Sequence, residues 1–564
     1  MGWAVAAPGG ASISGTIVDF TGAPAPRASL TLIHQQSGLR LDVEAGQDGK
    51  YRASGLTPGP YAVTATSHEE DATARLNAFV HENEPLELNI TLPAGRLALD
   101  SDGLHELPLA ARSYVDLVRT GAGITSGQQG GNIEGYGPYG FRGNSSFNAN
   151  GQRGQHNDFT IDGIDNNEAW TQGAVLEPPI EAIERVSLAA GYLPAELGHS
   201  AGGAVDIRIR PGGSQLHGSA FEYLGNSALD ARNFFDKDDK PGHVQNQFGA
   251  SLGGPVRGRG WFFFADADVL RQRQGLTVTS TVPSVAQMAG DFGSVPVYDP
   301  LSIRETSPGV FVREQFAGNR IPAALIPAQA SNLIGLYPAP NLPGSADNYV
   351  YTPDLVRHSD RFDIRSDKTV GSGSALSVRF SYGRLEGQSP SSMPGLDASN
   401  STQSAGGAGI SQTTWGGGVS HTFVVRPTVT NELRTGITSF DLNAYPLDRA
   451  VDASAALGIP GLGSGGLPDV MPTGYAQLGA AEALPLAIRT TSYQVEDNLL
   501  WTKGRHAWTF GFQAIRRQAD GTASEWSSRG TFFFTPDYTS QPGIDDTGNS
   551  IASLLLGYPS EVRR

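Results

Sequence analysis

The chain has 564 residues, and its formal net charge of -16 argues against nucleic acid or another polyanion as a partner. It contains no cysteine, which excludes a disulfide framework and a thiolate metal site. No apolar run approaches the length of a transmembrane helix, but the strands of a transmembrane β-barrel alternate apolar and polar residues and escape such a search.

The N-terminal residues 1–10 lack a basic region, and their apolar stretch is too short for a complete signal peptide. Ala4-Val5-Ala6 nevertheless fits the A-x-A pattern of a cleavage site. We interpret residues 1–10 as the remnant of a signal peptide or as a disordered N-terminus.

Residues 11–93 have the pattern of a small β-sandwich. The runs ISGTIVD and ASLTLIH alternate with period two, and Gly and Pro turns separate further short strands such as YAVTATS. Many short strands at close spacing favour two packed sheets.

Residues 94–104 are predicted to be a linker, and residues 105–214 a small mixed α/β domain. Its segments are a short amphipathic helix in ARSYVDLV, with Ser113 as a possible cap, the strand and turn FTIDGIDNN, and the strand AVDIRIR. A Gly/Asn/Gln-rich tract separates the helix from the first strand.

Residues 215–564 repeat one pattern, an alternating run of about the 9–11 residues that a tilted membrane strand needs. WFFFADADVLRQR and SALSVRFSYG are examples. Ten candidate strands are predicted, starting near residues 216, 245, 261, 360, 374, 412, 428, 491, 506 and 528.

The connections after the first long one alternate between short and long, so the long ones lie at one end of the sheet. An outer-membrane barrel has this asymmetry, with short periplasmic turns and long external loops. Trp261, Trp501 and Trp508 flank short turns, where a periplasmic aromatic girdle is expected. The alternative is a water-soluble all-β domain with irregular loops.

The stretch FTIDGIDNN offers a partial calcium-loop pattern. Counting from Asp158 gives Thr160, Asp162 and Gly163, a partial match, but the twelfth position is Ala169 and not the bidentate Glu. The simpler interpretation is a tight turn at Asp162-Gly163 between two extended segments.

The segment GHSAG matches the nucleophile-elbow pattern G-x-S-x-G, with Ser200 as the candidate nucleophile. That motif needs a helix after the serine, whereas AVDIRIR predicts a strand. A small-residue turn explains the segment without catalysis.

A zinc-exopeptidase pattern H-x-x-E is present at His81 and Glu84, but no third ligand is recognisable, and His34 and His68 are scattered. GAGITSG has Ser126 where a dinucleotide-binding loop needs its third Gly, and no P-loop is present. We therefore predict no catalytic residue, no metal site and no cofactor.

The runs NGQRGQHNDFTIDGIDNN and IEAIERVSLAAGYLPAELGHSAGGAVDIRIRPGGSQLHGSAFEYLGNSALDARNFFD resemble the TonB-dependent outer-membrane receptors of the Oar-like group. SISGTIVDFTGAPAPRASLTL through GLTPGPYAVTAT resembles the carboxypeptidase regulatory-like module that precedes the plug in this group, and implies no peptidase activity.

The resemblance implies a β-sandwich at 11–93 in the periplasm, a plug at 105–214 and the N-terminal part of an outer-membrane β-barrel at 215–564. It also implies a TonB complex as partner, contact with outer-membrane lipid, and uptake of an external ligand whose binding residues and identity are unknown. The alternative is a non-transporting surface or adhesion protein that displays long loops. The carboxylates of FTIDGIDNN are then exposed polar groups. Arg96–Asp100, RLALD, is the one short apolar candidate for TonB contact.

Such receptors have about 22 strands, so ten strands and an ending in GYPSEVRR suggest a fragment. Ten strands cannot enclose a plug of about 110 residues, because interior room grows with strand number. We expect an open, curved sheet with unpaired edges at about 216–224 and at the C-terminus. Asp266, Asp268 and Arg379 should face the plug, and Ala267, Val269, Val378 and Phe380 should face lipid.

Overall fold

The computed structural model describes residues 11–18, 23–34, 39–67, 72–81, 85–92, 96–100, 104, 112–126, 147–170, 172–190, 193, 197–232, 240–256, 260–370, 373–389, 391–394, 399–400, 408–426, 428–463, 465–480, 484–503, 506–523 and 529–563. Residues 1–10 and His68, discussed above, lie outside these ranges, as does Glu84.

Two small sheets form the N-terminal domain. Its strands are β1 (Ala11–Val18), β2 (Ser29–His34), β3 (Arg40–Glu44), β4 (Lys50–Leu56), β5 (Gly59–Ser67), β6 (Ala72–Val80), β7 (Pro85–Glu87) and β8 (Ile90–Thr91). One sheet has the order β4-β1-β7, with β8 also paired to β1, and the other has the order β3-β2-β5-β6. Alternate residues of both sheets, such as Ile13, Leu30 and Val63, share one apolar core, which makes the domain a β-sandwich.

A second domain, which we call the central domain, spans residues 96–209. It contains β9 (Arg96–Asp100), α1 (Tyr114–Val118), β10 (Ile124–Ser126), β11 (Phe147–Ala149), β12 (Asp158–Ile161), β13 (Ile164–Asp165), β14 (Ile183–Ala190) and β15 (Gly203–Ile209). Ser113 caps α1, because its Oγ accepts a hydrogen bond from the backbone N–H of Val115 at 3.3 Å. The main sheet has the order β13-β12-β15-β14-β9, so part of the segment expected to be a linker pairs as an edge strand.

The remaining strands are β16 (His217–Asn226), β17 (His243–Pro255), β18 (Trp261–Gly275), β19 (Val278–Ser280), β20 (Arg304–Ser307), β21 (Val310–Val312), β22 (Tyr349–Tyr351), β23 (Asp354–Val370), β24 (Ser374–Ser389), β25 (Ser399–Asn400), β26 (Ala408–Arg426), β27 (Val429–Pro446), β28 (Asp469–Pro472), β29 (Gln477–Leu478), β30 (Leu486–Lys503), β31 (His506–Ala523), β32 (Thr531–Phe534) and β33 (Glu561–Arg563). Four short helices accompany them: α2 (Val285–Met288), α3 (Ala328–Ile334), α4 (Ala453–Leu457) and α5 (Ser550–Leu556).

Nine long strands form one antiparallel sheet in the order β16-β17-β18-β23-β24-β26-β27-β30-β31. In the described part of the chain its first and last strands are edges and do not pair with each other, so the expected open sheet is confirmed. The connections β17–β18, β23–β24, β26–β27 and β30–β31 are short and lie at one end, as expected from the alternation of connection lengths.

Alternate side chains of this sheet face opposite sides. We call the side that contacts the central domain the inner face. Asp266, Asp268 and Arg379 are buried on the inner face, whereas Val378 and Phe380 are exposed on the outer face, as predicted. Ala267 is exposed and Val269 is half-buried, in keeping with the same alternation.

The prediction of a tenth barrel strand starting near residue 528 is wrong. The strand there is β32, which pairs in parallel with β28 and not with β31. The aromatic run TFFF fits any strand that is buried on at least one side, and tertiary contacts select its partner. The second edge of the large sheet is therefore β31.

The long connections fold together into a third body, which we call the loop domain. Its five-stranded sheet has the order β25-β29-β28-β32-β33, and its core is separate from that of the central domain. Residues from three connections and from the last 35 described residues supply that core, including Phe292, Leu333, Val470 and Leu554.

Candidate functional site

The hairpin between β12 and β13 connects the central domain to the inner face of the large sheet. Ile161 pairs with Ile164 across a two-residue loop, in which Asp162 has φ +52° and Gly163 has φ +77°. Two successive positive φ values are those of a type I′ turn, for which Asp-Gly is a favoured sequence. The expected tight turn is therefore present.

Gln494 of β30 holds the tip of this hairpin from the inner face. Its Nε2 donates to the carbonyl of Gly163 at 2.9 Å, and its Oε1 accepts from the backbone N–H of Asp165 at 2.6 Å. Thr438 of β27 donates its hydroxyl to the carbonyl of Asp165 at 2.7 Å. The large sheet thus satisfies backbone groups that the short strand β13 leaves unpaired.

Asp162 lies between two arginines of the inner face. Its Oδ1 is 3.4 Å from Nη1 of Arg365 and its Oδ2 is 3.3 Å from Nε of Arg379, while Oδ1 also accepts from the backbone N–H of Ile209. Burial raises the pKa of Asp162 above its ordinary value, and the guanidinium groups of Arg379 and Arg365 oppose that rise.

Asp165 forms the most enclosed ion pair between the two domains. Its Oδ1 is 2.6 Å from Nη2 of Arg517 on β31, and its side chain is only 2% accessible. Nδ2 of Asn167 donates to the same oxygen at 2.7 Å and to Oδ1 of Asp158 at 2.6 Å. Nε2 of His199 is 2.7 Å from Nη1 of Arg517, so His199 belongs to the same cluster.

The expectation that the carboxylates of FTIDGIDNN are exposed is wrong. Asp165 is buried, and the half-buried Asp162 lies between the half-buried Arg365 and the buried Arg379. A polar turn next to a strand is usually solvated, but here the inner face supplies the partners that burial of charge requires.

Arg361 of β23 makes a further contact between the domains. Its Nη2 is 2.7 Å from Oδ1 of the fully buried Asp268, and its Nη1 donates to the carbonyl of Glu177 at 3.0 Å. Arg434, which is paired with Glu432 and Glu496, lies against the turn, and a Cβ on Gly163 would meet its Nη1 at 2.8 Å.

Apolar side chains continue the contact toward the end of the sheet that carries the long connections. Val175 and Leu176 of the central domain belong to the same buried core as Ile410, Phe440 and Ile488 of the sheet. Directional polar contacts around the hairpin and an apolar contact beside it therefore hold the domain.

A small cleft, with about 50 Å³ of enclosed volume, lies between residues 174–178 of the central domain and the strands β23, β24 and β26. Arg357, Arg361, Asp363 and Gln412 contribute polar groups, and Leu176 and Leu385 contribute apolar ones.

Ser200, the candidate nucleophile, is part of a turn. Its hydroxyl lies 2.8 Å from the carbonyl of His156 and 3.1 Å from that of Gly203, and its oxygen accepts from the backbone N–H of Gly202. The strand β15 begins at Gly203, where a nucleophile elbow needs a helix. This environment favours the structural interpretation of GHSAG.

The side chains of the partial calcium pattern bind other groups of the protein. Thr160 donates its hydroxyl to Asp206 at 2.7 Å, and Asp158 and Asp162 have the contacts described above. Within the described ranges, no three His, Asp or Glu side chains are grouped so that they could hold a metal ion.

The remaining candidates lie apart from this interface. His34 packs edge-on against Tyr61 inside the N-terminal sandwich, and His81 lies beside Phe79. Arg96–Asp100, the candidate for TonB contact, pairs along its length with β14 at the edge of the central sheet.

Sequence reasoning missed the partners on the large sheet, namely Arg365, Gln494 and Arg517. The available signal was the parity of the strands. Each of the three lies on an inner-face position, where a polar residue is expected only opposite water or another polar group.

In the part of the chain that the structure describes, no helix is both long and apolar enough to cross a membrane. A family model described as an outer membrane beta barrel domain matches residues 208–564, and a model described as a carboxypeptidase regulatory-like domain matches residues 12–93. No curated protein matches the chain.

Three solved structures illustrate the folds that the chain is similar to. The outer membrane transporter YddB from Escherichia coli has 11% identity and a TM-score of 0.46, with 79% of this chain and 51% of that chain covered. A mutant of the ferric enterobactin receptor PfeA from Pseudomonas aeruginosa has 12% identity and a TM-score of 0.41, with 76% of this chain and 49% of that chain covered. The ferric-catecholate import receptor Fiu from E. coli K12 has 10% identity and a TM-score of 0.38, with 76% of this chain and 60% of that chain covered. The chain spans about half the length of the first two.

Proposed function

We propose that this chain, which belongs to the outer membrane beta barrel domain family, is part of a TonB-dependent transporter of the Oar-like group that takes up an external ligand. The observation that carries the proposal is the docking of the central domain, through the Asp162-Gly163 hairpin, on the inner face of the barrel sheet. In this role the central domain is the plug.

The outer face of the sheet supports placement in lipid. The exposed side chains Val378, Phe380 and Phe512 lie on that face, and Trp261 and Trp508 stand beside short connections. Apolar residues bordered by aromatic side chains at the membrane interface are typical of outer-membrane strands.

The path of the chain supports a periplasmic N-terminal domain. Strand β16 follows β15 after only seven residues, and its first residue, His217, pairs with Gly253 next to the short β17–β18 connection. The central domain therefore joins the sheet at the end that carries the short turns, which are periplasmic in bacterial barrels.

The chemistry of the interface suits a domain that is held firmly and released by force. Ion pairs and hydrogen bonds such as Asp165–Arg517 and Gly163–Gln494 have short range, so a small displacement breaks them. A TonB complex pulling on the N-terminal side would act on β9, which is the edge strand of the central sheet. Ser200 is a turn residue in this proposal, and the protein is not an enzyme.

A single cysteine at Ile164 tests the proposal, since the natural chain has no cysteine and Ile164 is buried in the hairpin. We expect a membrane-impermeant thiol reagent to label Ile164→Cys in cells with an energised TonB complex, and to label it at least tenfold less in cells that lack TonB. A cysteine at the exposed Leu301 is the control and should be labelled equally in both. Equal labelling of Ile164→Cys in both strains would contradict the proposal.

A specific observation favours a second candidate function, that of a non-transporting surface or adhesion protein. The long connections form a loop domain with its own buried core, as a display scaffold requires. This candidate needs no movement of the central domain, so it predicts TonB-independent labelling at residue 164.

A further inference from the structure

Two buried carboxyl groups face each other on the inner face of the large sheet, and we call them the carboxyl pair. Asp266 of β18 stands directly opposite Asp363 of β23 in the antiparallel ladder, so the two side chains project side by side from the same face. Asp266 is 6% accessible and Asp363 is 2% accessible. Like charges at directly opposite positions repel each other, and burial strengthens the repulsion because little water screens it.

Asp266 differs from the other buried carboxylates of the large sheet. Both of its carboxyl oxygens are shielded from solvent and, among the described residues, neither has a hydrogen-bond partner. Its neighbour on the other side of the ladder is Ser251 of β17, whose hydroxyl forms a hydrogen bond with that of Ser219. A buried carboxylate without hydrogen bonds is costly, so the sheet does not stabilise Asp266 as an anion.

Two arginines lie close to the carboxyl pair, but both bind other groups. Arg361 directs Nε and Nη2 to the same oxygen of Asp268, at 3.2 and 2.7 Å. Arg379 donates to the hydroxyl of Ser381 at 2.7 Å, and its Nε lies 3.3 Å from Oδ2 of Asp162. Their charges attract the pair, but their N–H groups do not satisfy the oxygens of Asp266.

The central domain covers the carboxyl pair. Its 3-10 turn Ile180–Ala182 lies against β18, and Glu181 of that turn is 4% accessible and faces Asp266. Glu181 is itself paired with Arg112, so that guanidinium is already bound. The neighbours of Asp266 within the sheet lie beside it, and the central domain therefore provides the cover that keeps water from it.

We propose that the carboxyl pair holds one proton while the central domain is docked, and that it releases this proton to water when the domain leaves the inner face. Two carboxyl groups that share a site shielded from water do not both ionise. Asp363 is the member suited to carry the negative charge, because the hydroxyl of Ser381 donates to its Oδ1. Asp266, which lacks such a donor among the described residues, keeps the proton.

The proton makes docking depend on pH. Without the central domain both carboxyl groups face water, where each ionises above about pH 4. The docked state then holds one proton more than the undocked state, so docking is firmest in acid and weakens as the pH rises. The undocked population increases by at most about tenfold per pH unit. This holds whether or not the protein transports a ligand.

His199 is the other group near the interface that can change its charge in the same pH range, and its effect has the opposite sign. Its Nε2 is 2.7 Å from Nη1 of Arg517. A proton on the ring would place a second positive charge beside that guanidinium and would loosen the domain in acid. The direction of the pH dependence therefore distinguishes the carboxyl pair from His199.

Thiol labelling of the purified whole chain in detergent micelles tests the proposal. The labelling rate of Ile164→Cys, divided by that of the exposed Leu301→Cys in a separate variant, cancels the pH dependence of the thiol chemistry. We expect this ratio to rise at least tenfold between about pH 5 and about pH 8. In Asp266→Asn, a neutral isostere of the protonated group, it should rise no more than about threefold. Asp162 accounts for that remainder, because burial also raises its pKa.

The matched control is Glu496→Gln. Glu496 also lies on the inner face, but it accepts hydrogen bonds from Arg434, Gln494 and Asn498 and therefore has no need of a proton. This variant should keep the full rise of the ratio with pH. As a second readout, Asp266→Asn should remove infrared absorption of a protonated carboxyl group at about pH 7, and Glu496→Gln should not.

Two results would overturn the proposal. One is a labelling ratio that does not rise with pH in the chain with Asp266 intact, which decides the matter even if Asp266→Asn fails to fold. The other is a rise that Asp266→Asn leaves unchanged. No TonB is present in these assays, so a failure here is distinct from TonB-independent labelling at residue 164 in cells.

Discussion

Replacing Arg517 with methionine is expected to loosen the central domain from the barrel sheet more than any other single change at the ion pairs. The change removes the cation from Asp165 but keeps an unbranched side chain of similar length. Asp165 is only 2% accessible, so its carboxylate cannot recover solvation in water.

The size of the effect follows from the geometry. Breaking a buried ion pair by removing one partner costs about 3–5 kcal/mol. Asp165 keeps the hydrogen bond from Asn167, and Arg517 itself is 21% accessible, so we expect about 2–4 kcal/mol. This raises the undocked population roughly 30- to 900-fold, since 1.36 kcal/mol corresponds to a factor of ten.

The complementary change Asp165→Asn should cost less, about 1–2 kcal/mol, because the partly accessible Arg517 can turn toward water. The double variant should cost less than the sum of the two single variants. A coupling free energy of at least 1 kcal/mol is expected for groups in direct contact.

Hydrogen exchange of the Asp165 amide, followed by mass spectrometry, reports the undocked state. That amide donates to Gln494 at 2.6 Å only while the hairpin is docked. Arg489→Met is the matched control, because Arg489 pairs with Asp441 but is 70% accessible. It should change protection by no more than about 0.5 kcal/mol. Equal protection of Asp165 in Arg517→Met and in the unmodified chain would refute the reasoning.

Gly163→Ala should lower the free energy of unfolding by about 1–2 kcal/mol because of its positive φ, and by about 1 kcal/mol more because the new Cβ displaces Arg434. Gly293 has φ +58° and no atom near the position of a Cβ, so Gly293→Ala should show only the first cost in denaturant titrations. Ser200→Ala should destabilise the chain by about 1 kcal/mol through lost turn hydrogen bonds, and a serine-reactive fluorophosphonate should not label the unmodified chain. Residues 11–93, expressed alone, should give a cooperative thermal transition that EDTA does not shift, since their core is self-contained.

Alternation and connection length predicted the nine strands of the large sheet, because a strand exposed to lipid on one face and to a polar interior on the other must alternate. The inward direction of Asp268 and Arg379 followed from the same parity. The period of two is a local property, so it is readable without knowing the partner strand.

The contacts of the hairpin were not predictable in this way. Asp165 and Arg517 are separated by 352 residues, and their meeting depends on the register of all the strands between them. For the same reason the loop domain was missed, since β28 lies in the connection between β27 and β30, β32 follows β31, and the two pair only in the folded chain. Local pattern identifies a strand, whereas its neighbour is chosen by tertiary packing.

A disulfide between Ile164→Cys and Gly436→Cys tests most directly whether the central domain docks on the inner face. A Cβ on Gly436 would lie 2.5 Å from Cγ2 of Ile164, a spacing that places the two Cβ atoms within reach of a disulfide. The neighbouring Thr435→Cys, paired with Ile164→Cys, is the control, because adjacent residues of a strand face opposite sides. We predict that mild oxidation crosslinks residues 164 and 436 nearly completely in outer membranes and leaves residues 164 and 435 uncrosslinked. Equal crosslinking of the two pairs, or no crosslinking between residues 164 and 436, would contradict the docking of the central domain on the inner face.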